Sequence, residues 1–116
     1  MKHLSCILFV LGLVFSGCTR LETDLGTVGP YPRFTIAAAR SATPGKEVTL
    51  RGELIEKCPV AGCWFVIRDE TGTIKVDTKT AGFVVLDVPL QKHILIAGVV
   101  SGDGPGRVID AKGLRY

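Results

Sequence analysis

Cys58 and Cys63, five positions apart in the run EKCPVAGCWFVIRDETG at residues 56–72, are the side chains best placed to do chemistry. Pro59 and Gly62 lie between them, and Trp64, the only tryptophan of the chain, follows directly. Two convergent thiols have three uses: a disulfide, a pair of ligands for a soft ion such as Cu(I), or a redox couple. The redox use fits least, because thioredoxin-like chemistry employs Cys-x-x-Cys at a helix N-terminus. A structural zinc site would need two further ligands, and outside the N-terminal segment His93 is the one imidazole. If Pro59-Val60-Ala61-Gly62 is a hairpin loop, the cysteines face each other with Cβ atoms about 4.5 Å apart, within reach of a disulfide after local twist. Closing so short a loop stabilises a fold by about 2 kcal/mol on chain-entropy reasoning.

Other chemistry finds little support. There is no Ser/His/Asp set and no Gly-rich phosphate loop. Asp69 and Glu70 are adjacent carboxylates, expected as solvated residues of a turn. Gly102-Asp103-Gly104 lacks the spaced oxygen ligands of a calcium loop. No cofactor is expected, and the chain reads as a binding protein, not an enzyme.

The N-terminus sets the compartment in which the thiols would operate. MKHLSCILFVLGLVFSGC opens on Lys2 and His3, continues through a short apolar run and ends in Ser16-Gly17-Cys18, the pattern of an export signal. The run is shorter than the roughly 20 residues of a spanning helix. Phe15-Ser16-Gly17-Cys18 resembles the bacterial lipoprotein box, with Phe15 in place of the usual Leu. That resemblance implies cleavage before Cys18, lipidation of Cys18, and a mature chain anchored in the cell envelope, on the outer membrane or the periplasmic face of the inner membrane. Cys6 would leave with the signal, so Cys58 and Cys63 would be the only thiols of the folded part, in an oxidising compartment where such pairs usually join. Of the 14 basic residues, loss of Lys2 leaves 13 against 11 acidic, near +2. This is no nucleic-acid-scale excess.

The positioning elements follow. Residues 19–33, TRLETDLGTVGPYPR, mix charge with Gly and Pro without helical or strand period and read as a tether. Thr35 is an N-cap for a short helix through Arg40, stopped by Pro44-Gly45. The period then changes to two. EVTLRGELIEKC makes a long first strand with Val48, Leu50 and Leu54 inward, Thr49, Arg51 and Glu53 outward, and Gly52 at a bulge or bend. CWFVIRDE and TIKVDTKT are the second and third strands, joined at Glu70-Thr71-Gly72, where Gly supplies positive φ. HILIAGVVS and RVIDAKGLRY form a last pair across GDGPG. The predicted fold class is all-β: a five-stranded OB-like Greek-key barrel with one short N-terminal helix. The organisation is a lipoprotein signal peptide at 1–17, a lipidated tether at 18–33 and the barrel at 34–116.

The run FTIAAARSATPGKEVTLRGELIE resembles the opening of bacterial OB-fold domains of the anticodon-binding-like class. CPVAGCWF is similar to a motif of small exported bacterial OB-fold proteins. The resemblance spans roughly residues 34 to 111. One departure is the segment AGFVVLDVPLQK: where an OB barrel commonly carries a helix, this stretch is β-branched and interrupted by Pro89, so an extended or irregular crossover is expected.

Alternation places Phe65 and Ile67 inside, and Trp64, Arg68, Lys75 and Lys79 outside on the second and third strands, with Arg51 nearby on the first. An exposed aromatic among cations stacks a base or a sugar and pairs with anionic groups. The sequence therefore predicts an envelope lipoprotein whose OB module binds an oligonucleotide, glycan or other anionic ligand on that face. Nucleic acid enters by fold analogy only. The alternatives are a copper-binding or redox accessory protein using Cys58 and Cys63, and a structural lipoprotein that docks a protein partner. For Trp64 the competing role is to cap the cysteine sulfurs.

Overall fold

The structure, a computed structural model, describes residues 23–60 and 63–116. The expected signal peptide, Cys6 and the lipidation site Cys18 lie outside the described residues.

Among the described residues six strands and one α-helix follow in chain order: β1 (Asp24–Gly26), α1 (Ile36–Ser41), β2 (Glu47–Lys57), β3 (Trp64–Asp69), β4 (Gly72–Asp77), β5 (His93–Ser101) and β6 (Val108–Arg115), with a single 3-10 turn at Gly104–Gly106 before β6. The Thr35 side chain accepts from Ala38 N–H as the N-cap of α1, and the helix ends before Pro44-Gly45. Ile36 and Ala39, three apart, are its buried face.

β2 pairs with β3 and β5, β3 with β4, and β5 with β6, all antiparallel. A parallel seam of Lys75↔Val108, Val76↔Ile109 and Asp77↔Asp110 between β4 and β6 closes the ring. Phe65, Ile67, Ile74 and Val76 point into it, with Leu50, Leu54, Ile96 and Leu114 from the other strands. The period-two pattern thus produces the inward set expected of it.

Gly52 marks the bend of β2. Before it β2 pairs with β5; at Glu53 it meets both His93 of β5 and Arg68 of β3, and beyond Glu53 the β3 pairing takes over. A Cβ on Gly52 would stand 2.8 Å from the Arg68 carbonyl oxygen, so the strands approach there only without a side chain. The bulge falls further on, between Leu54 and Glu56. At the β3–β4 turn Gly72 takes φ +151°, as the turn composition predicts.

Three features depart from the sequence expectations. A sixth strand, β1, forms within the stretch read as tether: Asp24–Gly26 pairs with Arg115–Gly113 and occupies the β6 edge that β4 leaves after Asp110. So short a strand has no period to detect, and its partner lies at the far end of the chain. Thr49, expected outside, is buried because Tyr31–Phe34 lies over it: Thr49 N–H donates to Pro32 O at 2.7 Å, its hydroxyl donates to Tyr31 O at 2.8 Å, and Phe34 N–H donates to Thr49 O at 2.9 Å. The third predicted strand stops at Asp77, so Lys79 lies in the turn beyond it.

The crossover between β4 and β5 is irregular, as Pro89 and the β-branched run imply. Lys57 holds it: the ammonium donates to the carbonyl oxygens of Val88 at 2.7 Å, Leu86 at 3.2 Å and Val85 at 3.4 Å. Val85 and Val88 are buried beneath, while Val84, Leu86 and Leu90 are exposed.

Candidate functional site

The five outward residues singled out in the sequence separate into two groups along β3. Trp64 and Arg68 stand at opposite ends of that strand, four residues or about 13 Å apart. Lys75 joins Trp64, and Arg51 joins Arg68.

At the hairpin end the Lys75 ammonium sits 5.0 Å from the Trp64 ring centroid, a cation–π contact on an outer face where Trp64 is half-buried. The register makes the contact: Trp64 pairs with Asp77 and Val66 with Lys75, so Lys75 is diagonal to Trp64 on the same side. Lys79 Nζ lies 3.9 Å from Asp77, which leaves Lys75 as the cation associated with the ring.

Beside this pair Cys63 Sγ–H donates to Cys58 Sγ at 3.7 Å. The separation is well beyond the bond length of about 2.05 Å, so the structure contains the two thiols facing each other and no disulfide between them. Two backbone bonds hold the neighbourhood: Cys58 N–H to Trp64 O at 2.9 Å and Thr78 N–H to Cys63 O at 2.9 Å. The hydrogen bond to Cys58, followed by burial, pushes the Cys63 thiol above its ordinary pKa. That shift works against Cys63 as a ready thiolate. His93 opens β5 at the other end of the barrel wall, and among the described residues no group of three or more His, Cys, Asp or Glu side chains could hold a metal ion.

At the opposite end Arg51, Arg68 and His93 line a cleft of about 580 Å³ with Arg33, Phe34, Thr35, Gly52, Glu53, Asp69 and Glu70. Arg68 Nη2 is bound to Glu53 at 2.9 Å. Sequence reasoning missed Arg33 and Phe34, since they belong to the stretch read as tether and its junction. It also took Asp69 for a solvated turn carboxylate. Instead Asp69 accepts from Ile36 N–H of α1 at 3.0 Å, from the Thr71 hydroxyl and N–H at 2.6 and 2.7 Å, and from Gly72 N–H at 3.2 Å. The available signal was Asp-Glu-Thr-Gly, whose Asp and Thr favour local side-chain turns. Burial raises the Asp69 pKa, but these four hydrogen bonds outweigh it and hold the carboxyl below its usual value.

A ring of short strands with a bent, doubly paired first member, a parallel closing seam and a small helix packed on it is an OB-fold barrel. The chain belongs to the bacterial OB fold (BOF) protein family, which it matches over residues 21–116. It is similar to the calcium-regulated OB-fold protein CarO of Pseudomonas aeruginosa, with 28% identity over 112 residues that cover 97% of this chain and 93% of CarO. The solved structure of the hypothetical protein YgiW from E. coli is similar at a TM-score of 0.58 and 29% identity, covering 78% of this chain and 96% of YgiW. The S. pombe Stn1–Ten1 complex contains a chain alike in fold alone, with TM-score 0.56 and 14% identity over 73% of this chain and 76% of that one.

Proposed function

We propose that this OB-fold protein is a binding module of the cell envelope, lipid-anchored through Cys18, that takes an anionic oligomer, a glycan or an oligonucleotide, on the outer face of β3 and β4. The observation that carries the reading is the Lys75 ammonium over the half-buried Trp64 ring. A planar base or a sugar ring can stack on the indole, worth about 1–3 kcal/mol per base, while Lys75 and Lys79 meet the negative groups beside it. The half-buried indole and the adjacent ammonium are the recognition elements of a binding protein. The export signal and the Cys18 motif support the compartment, where glycan and protein are the commoner partners.

Fluorescence anisotropy of labelled oligothymidylate and of a labelled heparin oligosaccharide tests the face. At least one should bind saturably, with affinity falling as salt rises. The Trp64→Ala, Lys75→Ala double variant should lose that binding, and unchanged affinity in the variant would remove the proposal. The CarO relative is described as calcium-regulated, so the titration is to be repeated with added Ca²⁺. Metabolic labelling with a palmitate analogue tests the anchor: Cys18→Ser should abolish both the label and membrane association.

A second reading rests on the cysteine pair. The thiols at 3.7 Å are placed to join into a structural disulfide, each giving up a hydrogen to an oxidised dithiol acceptor of the envelope. The same pair offers two sulfur ligands to Cu(I). Titration with Cu(I) under reducing conditions separates the uses: one equivalent taken up supports the metal use, and no uptake leaves the disulfide.

A further inference from the structure

The cleft at the β2 bend is a gap in the barrel wall, with properties distinct from those of the Trp64 face. On this edge of β2 the bridge Arg33↔Thr49 ends one pairing and the β3 register begins at Glu53, so among the described residues Leu50–Gly52 has no partner strand there. Both main-chain groups of Thr49 point to this edge, since its N–H meets Pro32 O and its C=O meets Phe34 N–H. Strand alternation aims the N–H and C=O of Arg51 the same way.

The charged groups of the cleft divide sharply by occupation. Glu53 is taken by Arg68 at 2.9 Å, and both oxygens of Asp69 are taken by Ile36, Thr71 and Gly72. Arg33 and Arg51 hold no hydrogen bond or ion pair from their side chains among the described residues, so each guanidinium keeps its five donors. Phe34 adds an apolar side chain to the lining, and Glu70 lines the cleft as well. Three arginines and three carboxylates line the cleft; Glu53 and Asp69 are spent on Arg68 and on the helix and turn, while Arg33 and Arg51 are not.

We propose that this cleft is a second ligand site, which takes the oxyanion group, carboxylate or phosphate, of a small molecule between Arg33 and Arg51. Bidentate guanidinium pairing supplies the recognition, and the Arg51 main-chain N–H is positioned to add a neutral donor. A site of this kind selects a compact anion, whereas the open Trp64 face suits a polymer. The two would work independently because β3 separates them.

Two-dimensional ¹H–¹⁵N spectra of the full-length protein in detergent micelles, titrated with inorganic phosphate and separately with acetate, test the proposal. Saturable shifts should concentrate on Phe34, Arg51 and Gly52 with one or both probes, and the stronger probe identifies phosphate or carboxylate as the preferred group. Arg33→Ala, Arg51→Ala should weaken that response by at least about tenfold, as expected for loss of charge-assisted bonds. Lys75→Ala should leave it unchanged, which separates this site from the polymer-binding face: failure of one leaves the other standing. Both arginines are exposed, so the double variant should keep its spectral dispersion; if it does not, the single variant Arg51→Gln carries the test. Shifts that rise linearly without saturation, spread over Lys79, Lys92 and Lys112, or persist in the arginine variants would overturn the proposal.

Discussion

Lys75 stands over Trp64 because residues on β4 and β3 that are two places out of direct register share the outer side of the barrel, and the ammonium comes to rest 5.0 Å from the ring centroid. Phe65 and Val76, the neighbours of this pair on the inward side, are fully buried in the core.

The stability cost of breaking that contact is small. Lys75→Met should lower the unfolding free energy by about 0.5–1 kcal/mol, the range of an exposed cation–π pair, and leave the denaturant slope unchanged. Intrinsic fluorescence reports the event directly, as Trp64 is the only tryptophan. A loss of several kcal/mol in urea unfolding would mean that Lys75 supports the fold and is not held in reserve for a ligand.

Oxidation of Cys58 and Cys63 should stabilise the barrel by about 2 kcal/mol relative to the Cys58→Ser, Cys63→Ser variant, from closure of a short loop. The fold already brings the sulfurs to 3.7 Å, so little rearrangement opposes the bond. Intact mass of the purified protein before and after thiol alkylation shows whether the two hydrogens are lost. Equal stability of the oxidised protein and the serine variant would show that strain in the hairpin cancels the gain.

The carboxylate of Asp69 links folding to acid. Its pKa is lowered in the folded state, so its contribution is fully present above the unfolded value near 3.9 and is lost as pH falls through the lower folded value. Asp69→Ala should therefore cost about 1–2 kcal/mol at neutral pH, from loss of hydrogen bonds to Ile36, Thr71 and Gly72. The difference from the wild-type chain should shrink in strongly acidic solution. Urea unfolding across the acid range measures both; a gap that is constant with pH would assign the effect to packing.

Lys57 is expected to control the crossover. Lys57→Met keeps the length of the side chain and removes the donor to Val85, Leu86 and Val88. Three carbonyl groups then lose their shared partner, and hydrogen exchange in residues 83–91 should speed up while β3 and β6 keep their protection. Uniform acceleration would instead indicate global destabilisation.

Local pattern made much of this fold legible. Thr35 caps α1 as its type and position imply, and five strands lie where the period of two and the Gly-containing turns put them. The inward set Phe65, Ile67, Ile74, Val76 and the outward set Trp64, Arg68, Lys75 follow from alternation, which a residue and its immediate neighbours suffice to define. Even the non-helical crossover is readable from Pro89 and its β-branched company.

Tertiary structure decided what depends on partners far apart in the chain. Asp24–Gly26 becomes a strand because the end of β6 offers an edge, and Thr49 is buried because Tyr31–Phe34 crosses it. Asp69 caps a helix 33 residues before it, and the cleft at the far end of β3 gathers Arg51 and Arg68 away from Trp64, dividing one predicted set into two groups. Periodicity and turn chemistry act over a few residues, and they are enough to define the elements and their faces. Which faces meet, and which charged groups remain unspent when they do, was set only by closure of the ring.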